Sequence, residues 1–110
     1  MTKPANHKPK AFALYPRNAS PELDPKLFRQ PTAEYRGCPL WCWNNKLDKA
    51  QLLRQLGYLK AMGMGGPTIH VRTGLDTEYL GDEFMAIVRA CTAHAKREKM
   101  LTWLYDEDRW

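Results

Sequence analysis

From Pro39 onward the chain alternates short apolar runs with helical periods, and this order constrains the fold more than any other feature. The pattern predicts strands at Leu40 to Trp43, Thr68 to Arg72 and Leu101 to Tyr105. A helix is predicted in each of the two intervals between them. Strand, helix, strand, helix, strand with short connections is typical of βαβ units and a parallel sheet. We therefore predict an α/β fold.

Both predicted helices have clear start signals and one apolar face. Asp48 precedes the first helix as an N-cap, with Gln51 in capping-box spacing. The second helix carries Asp82 and Glu83 in its first turn and basic residues in its last. The predicted apolar faces are Leu52, Leu56, Leu59 and Met62 on the first helix, and Phe84, Ile87, Val88, Cys91 and Ala95 on the second. Glycine at Gly63 is expected to end the first helix.

Right-handed crossovers in this order place both helices on one face of the sheet and leave the other face bare. Parallel sheets are normally covered on both faces, and this one would also have two unpaired edges. We therefore predict the opening of a TIM-type (β/α)8 barrel over residues 34–110, in which missing strands would fill the inner face.

The first 33 residues are predicted to form an extended, basic leader. Seven of the eight prolines lie in the first 39 residues, and residues 1–37 carry a net charge of +4, against +1 for the remainder. One short helical turn is expected after Asp24, where Pro25 takes the first helical position and Leu23, Leu27 and Phe28 offer an apolar anchor.

Composition excludes several classes of protein. No run approaches the roughly 20 apolar residues of a membrane-spanning helix, and the first ten residues lack the apolar centre of a signal peptide, so a cytoplasmic location and no membrane partner are expected. Three cysteines without zinc spacing predict reduced thiols, neither disulfides nor a metal site. Gly63 to Gly66 precedes a strand, and therefore does not match a phosphate-binding loop.

In (β/α)8 barrels functional residues collect at the carboxyl ends of the strands. Here these ends carry Trp43 with Asn44, His70 to Thr73, and Tyr105 to Arg109. Strand alternation directs Ile69 and Val71 to the helices, and His70 and Arg72 to the interior of the barrel. An inward guanidinium requires an anionic partner or other acceptors. An indole, amide and imidazole at a strand end suit the faces and hydroxyls of a sugar.

Each candidate residue has a structural alternative. Trp41 is expected to fill the core, and Trp43 either fills the core or stacks on a ligand. His70 either bonds a neighbour inside the barrel or contacts a ligand. The carboxylates of Asp106, Glu107 and Asp108 would suit glycosidic cleavage or calcium, or would form ion pairs with Arg72 or Arg109. For Glu107 alone we favour the structural role; for the Asp106 and Arg109 pair we favour function.

These motifs, taken in order over residues 24–110, resemble the start of large bacterial glycoside hydrolases related to the α-L-rhamnosidase-like group. The motifs that carry the resemblance are Tyr35-Arg36-Gly37, Pro39-Leu40-Trp41-Cys42-Trp43-Asn44, Lys46-Leu47, Met64-Gly65-Gly66, His70-Val71-Arg72-Thr73-Gly74-Leu75, Thr77-Glu78-Tyr79-Leu80 and Leu104-Tyr105-Asp106-Glu107-Asp108-Arg109-Trp110. Members carry a catalytic (β/α)8 barrel followed by β-sandwich domains. Pro67 and Thr68 depart from the family, which has apolar residues there.

The resemblance implies that the chain is an N-terminal fragment, from a truncated reading frame or a split gene, because the family pattern continues past Trp110 for several hundred residues. Barrel glycosidases of this kind place their catalytic pair on later strands, so the fragment is expected to be inactive alone. It would contribute part of a carbohydrate-binding site, and no cofactor is implied. The substrate-binding residues carried over are Trp43, Asn44, His70, Arg72, Asp106, Glu107 and Arg109.

Two other functions compete with this one. The basic leader, with Lys3, Lys8, Lys10 and Arg17, would suit a small interaction or nucleic-acid-binding module, although it lacks interleaved aromatic residues. An oligomeric half-barrel, formed by self-association, is the third hypothesis.

Overall fold

The computed structural model describes residues 20–109, and these form a three-stranded parallel sheet with helices on one face. In chain order the elements are α1 (Pro25–Arg29), a 3₁₀ turn (Ala33–Tyr35), β1 (Leu40–Trp43), α2 (Lys49–Ala61), β2 (Thr68–Val71), α3 (Asp82–Arg97) and β3 (Trp103–Leu104). The predicted α/β class and the order of strands and helices are confirmed. None of the helices in this part of the chain is long and apolar enough to span a bilayer.

The strands lie in the order β1, β2, β3, with Trp41 opposite Ile69 and Trp43 opposite Val71. The regular part of β3 is shorter than predicted. Its ladder nevertheless continues on both sides, because Leu101 donates its N–H to Gly65 O at 2.8 Å and Tyr105 donates to Ile69 O at 2.9 Å. The chain therefore stays extended over the whole predicted strand.

The core lies between the sheet and the helices α2 and α3. On the sheet it contains Trp41, Trp43, Ile69 and Val71, which alternate with residues of the other face. The predicted face of α3 is buried in full, and α2 contributes Leu52 and Leu56. Met62 was predicted on the same stripe, but its side chain is 62% exposed because α2 ends at Ala61 and Met62 is its C-cap.

The two long helices end in the same backbone motif with different residues in its left-handed position. After α2, Gly63 (φ 84°) donates to Lys60 O and Met64 to Leu59 O. After α3, Lys99 (φ 58°) donates to Lys96 O and Met100 to Ala95 O. Both are Schellman motifs, in which glycine avoids the steric strain that a side chain brings at positive φ. The end of α3 is therefore the more strained of the two.

We expect Lys99→Gly to stabilise the chain by about 0.5–1 kcal/mol, because it relieves this strain. Gly63→Ala should destabilise it by about 1 kcal/mol for the converse reason. Lys96→Gly is the matched control, because it removes the same charge from the same end of α3. Lys96 lies at an exposed helical position, where glycine lowers the free energy of unfolding by about 1 kcal/mol. Urea denaturation at fixed protein concentration measures all three, and equal effects of the two lysine variants would contradict the assignment.

The sheet face away from the helices is uncovered in the part of the chain described. We call it the open face; its residues are Leu40, Cys42, Thr68, His70, Trp103 and Tyr105. Four of them are exposed, including the aromatic side chains of Trp103 and Tyr105. On the helix side, Leu104 is level with Ile69 yet 43% exposed, because no described helix lies over β3. Three strands in this order do not close a barrel, so the structure supports the α/β class without the predicted barrel.

The described part of the leader, residues 20–33, is less extended than predicted. Asp24 caps α1 by accepting from the N–H groups of Lys26 and Leu27, as expected. The apolar anchor was wrong, because Leu23 and Phe28 are exposed and α1 buries no residue in the core. The predicted boundary at residue 33 falls within the 3₁₀ turn.

Arg36 fastens this turn to α2. Its Nε donates to Pro31 O at 2.6 Å and its Nη1 donates to Gly63 O at 3.1 Å. The leader is therefore tied to the end of α2 by one guanidinium.

Candidate functional site

The carboxyl ends of the three strands meet at one edge of the sheet, and the loop from Arg72 to Gly81 joins them. On its β1 side the loop is held by Thr77, whose buried Oγ1 accepts the N–H of Leu47 at 3.1 Å. Asp76 donates its N–H to Asn45 O at 3.3 Å. The loop after β2 is thus fixed to the loop after β1.

On its β3 side the same loop contacts the segment Asp106 to Arg109. The Tyr79 side chain lies near Asp106 and Asp108, close enough for their charges to act on its hydroxyl. The Tyr79 ring packs edge-on against Phe84, with 5.5 Å between ring centroids. Arg109 Nη1 lies 3.5 Å from Leu75 O. All three strand-end segments therefore form one connected layer.

Burial raises the pKa of Tyr79 above its ordinary value. The charges of Asp106, Asp108 and Glu107 raise it further. Each of these favours the protonated hydroxyl. Tyr79 therefore keeps its proton further into the alkaline range than an ordinary tyrosine does.

The structure separates the three carboxylates into different environments. Asp108 forms an ion pair with Arg109, with 2.8 Å between Oδ1 and Nε. This is one of the ion pairs that the sequence offered as the structural alternative, whereas the functional role favoured for Asp106 and Arg109 stays a prediction. Asp106 is exposed and lies near Tyr79, and Glu107 is half-buried. Among residues 20–109 no three acidic, histidine or cysteine side chains are grouped so as to hold a metal ion.

Trp43 does not belong to this edge. Its side chain is 1% exposed and packs edge-on against Trp41 and Phe84, at centroid distances of 5.4 and 5.6 Å. The register places it level with Val71, on the helix side of the sheet. The ligand-stacking interpretation of Trp43 is therefore corrected to core filling.

His70 lies on the open face, in one row with Cys42 and Tyr105. Its ring is 2% exposed and meets the Tyr105 ring edge-on at 4.5 Å. Arg72, two positions further along the chain, is half-buried at the strand end. Of the predicted residues, the structure thus leaves Arg72, Asp106, Glu107 and Arg109 near the edge, with His70 beneath Tyr105.

Asn44 is exposed at the end of β1. Gly74 approaches it closely, because a Cβ built on Gly74 would stand 2.5 Å from Asn44 O. Gly74 also has φ of 104°, which a side chain rarely adopts. This contact packs the loop after β2 against the backbone of Asn44.

The sequence interpretation missed Tyr79 and Thr77. Both lie in the motif Thr77-Glu78-Tyr79-Leu80, which had been noted only as part of the resemblance. Their position in the loop after the second strand was the available signal, because such loops form the functional face of parallel α/β folds.

Taken together, the edge presents carboxyl groups, two guanidinium groups, a phenol and an amide beside the exposed ring of Tyr105. Carboxylates, guanidinium groups and amides bind hydroxyl-rich ligands, and aromatic faces pack on the C–H groups of sugars. The four basic residues on which the nucleic-acid alternative depends lie outside residues 20–109. The described residues carry thirteen basic and twelve acidic side chains, which is close to neutral.

No protein family, curated protein or solved structure matches this chain. The resemblance to α-L-rhamnosidase-like glycoside hydrolases therefore stays a prediction drawn from the motifs.

Proposed function

We propose that this chain is part of the catalytic barrel of a glycoside hydrolase, to which it contributes one wall of a carbohydrate-binding site. The observation that carries the proposal is the connected polar layer at the carboxyl edge, in which the loop after β2 contacts the segment after β1 through Thr77 and the segment after β3 through Arg109. The ordered motifs of the sequence add the chemical class of substrate. By itself the chain would bind sugar weakly and would lack the catalytic acid and its partner.

The open face supports the (β/α)8 part of this proposal. Trp103 and Tyr105 expose large aromatic surfaces there. Because burial of apolar surface is the main stabilising contribution in folding, such surfaces favour a covering partner. Leu104 lacks a covering helix on the opposite face. Further strands that close the barrel would cover the open face, and a helix after β3 would cover Leu104. The partner in this proposal is the remainder of the barrel. We also propose that the assembled protein is cytoplasmic.

The thiols of the chain provide a test of barrel completion. Cys42 is exposed on the open face, whereas Cys91 is fully buried against the sheet, and burial raises the pKa of Cys91 to about 11. We expect N-ethylmaleimide at pH 8 to alkylate Cys42 in the isolated chain and to spare Cys91. At that pH only about one in a thousand Cys91 thiols is ionised, and the thiolate is the reacting form.

The experiment repeats this labelling with the polypeptide encoded directly downstream of the Trp110 codon, produced together with the chain. Mass spectrometry of the alkylated peptides is expected to show at least tenfold slower labelling of Cys42, with Cys91 unreactive in both samples. The same complex should hydrolyse an aryl α-L-rhamnopyranoside or a related aryl glycoside. Unchanged labelling of Cys42 together with no hydrolysis would overturn the proposal. A discrete assembly of the chain alone that protects Cys42 would support the oligomeric half-barrel instead.

A further inference from the structure

We propose that a groove at the amino ends of the strands binds a small amphiphilic anion, whose charged group meets lysine side chains and whose apolar part meets methionine. The groove lies between the 3₁₀ turn and the ends of α2 and α3, and we call it the basal groove. Its apolar lining is Pro31, Ala33, Met64, Met100 and Leu101. It is at the opposite end of the sheet from the carboxyl edge, so this inference does not depend on the proposed function.

The walls of the basal groove are held in place without a ligand. Its cavity volume is about 520 Å³, within the roughly 300–1,000 Å³ of small-molecule sites. One wall is the 3₁₀ turn, which packs so closely on the backbone before β2 that a Cβ on Gly65 would overlap Ala33 O. The Arg36 guanidinium ties the same wall to the end of α2. A ligand therefore does not have to order these walls when it binds.

The apolar lining of the basal groove favours a ligand with an apolar part. Met100 is buried, and the other four apolar residues are half-buried, so part of their surface remains accessible. Transfer of an apolar group from water onto such a surface is favourable. The unbranched side chains of Met64 and Met100 adapt their shape to what they contact.

The charged lining of the basal groove favours an anion. It consists of four cations and two carboxylates, which are Arg36, Lys60, Lys96, Lys99, Glu34 and Glu98. Lys60 and Glu98 form an ion pair with each other. Neither Lys96 nor Lys99 forms an ion pair within residues 20–109. The ammonium groups of Lys96 and Lys99 are therefore the groups that an anionic ligand would neutralise.

Lys99 separates a ligand role from simple compensation of the helix dipole. Basic residues near a helix C-terminus ordinarily stabilise the helix through its dipole, and the last turn of α3 already carries His94, Lys96 and Arg97. Lys99 follows them in the left-handed position of the Schellman motif, with φ of 58°, where glycine would be unstrained. Backbone strain retained at a residue that lines a groove is typical of functional sites.

The test measures binding of hexanoate to the full chain by backbone amide shifts in nuclear magnetic resonance spectra. Acetate supplies the charge without the apolar chain, and 1-hexanol supplies the chain without the charge. We expect saturable shifts of the Gly65 and Met100 amides with hexanoate at concentrations up to about 10 mM, and much weaker binding of the other two probes. Added salt should weaken hexanoate binding, because it screens exposed charges.

Lysine variants separate binding from stability. Lys99→Gly should weaken hexanoate binding about threefold although it stabilises the chain, and Lys96→Gly should weaken binding by a similar factor although it destabilises the chain. Lys99→Arg keeps the charge and should bind like wild type. Lys49→Gly is the matched control, because it removes an exposed lysine from the other end of α2, outside the groove, and should leave binding unchanged.

Several results would overturn the basal groove as an anion site. They are binding of 1-hexanol as tight as that of hexanoate, amide shifts confined to the open face, and no saturable shifts with hexanoate. Weaker binding in Lys96→Gly but not in Lys99→Gly would overturn the role of Lys99, because binding would then follow stability. The proposed function depends on the carboxyl edge and the open face, and stands or falls separately from these results.

Discussion

Replacing Gly66 with alanine is expected to destabilise the chain by about 3 kcal/mol or more, which approaches loss of the folded state. Gly66 has φ of 144°, which a residue with a side chain rarely adopts. A Cβ at this position would overlap the carbonyl oxygen of Leu101 and stand 2.6 Å from its carbonyl carbon. Because both are backbone atoms, no rotamer change can relieve the overlap.

The effect of this change reaches beyond one residue. Gly65 and Gly66 lead into β2, and Gly65 O accepts the N–H of Leu101 at 2.8 Å. Pushing Leu101 away would break this bond and displace the start of β3. The amide of Leu101 should therefore lose its protection against hydrogen exchange in Gly66→Ala, and the urea midpoint should fall.

Gly57→Ala is the matched control for Gly66→Ala. Gly57 lies within α2, and a Cβ there would meet no atom within 4 Å. Alanine should stabilise the helix at this position by about 0.5–1 kcal/mol. The same chemical change is thus expected to have opposite signs at the two sites. A loss below about 1 kcal/mol at Gly66 would show that the backbones of residues 66 and 101 are not packed as described.

Trp43→Ala should destabilise the chain by about 4 kcal/mol, the second large effect we expect. The indole fills the core between Trp41 and Phe84, and its removal leaves a cavity enclosed by rigid rings. The buried Trp43 N–H has no hydrogen-bond partner among the described residues. Trp43→Phe, which keeps a ring and removes this donor, should therefore cost only about 1 kcal/mol.

These two variants decide between the interpretations of Trp43. If the indole were a platform for a sugar, Trp43→Ala would weaken binding of methyl α-L-rhamnopyranoside and leave the urea midpoint nearly unchanged. If the indole fills the core, Trp43→Ala should lower the urea midpoint strongly. Trp43→Phe should then leave both binding and stability close to wild type. Urea denaturation measures stability. Backbone amide shifts in nuclear magnetic resonance spectra, recorded while the rhamnoside is added, measure binding on the same samples.

The partner of Arg109 shows why the strand-end residues could be named but not paired. Position in the chain indicated that Asp106, Asp108 and Arg109 would lie at the carboxyl edge. Alternation of side chains along a strand could not show which carboxylate the Arg109 guanidinium contacts, because the backbone is irregular after the strand ends. Arg109 itself has φ of 35°. The contacts of Arg109 with Asp108 and with Leu75 O depend on how this segment meets the loop after β2.

The sequence by itself determined the order of strands and helices, the N-caps at Asp24 and Asp48, and the buried face of α3. These features depend on residues within one or two turns of each other, where spacing and capping chemistry act locally. Only the tertiary structure decided that Trp43 lies in the core, since alternation defines two faces of β1 but the register with β2 assigns each to a side. It also decided that Thr77 meets Leu47 and that Gly66 meets Leu101, because these contacts join segments distant in sequence that come together only when the sheet forms.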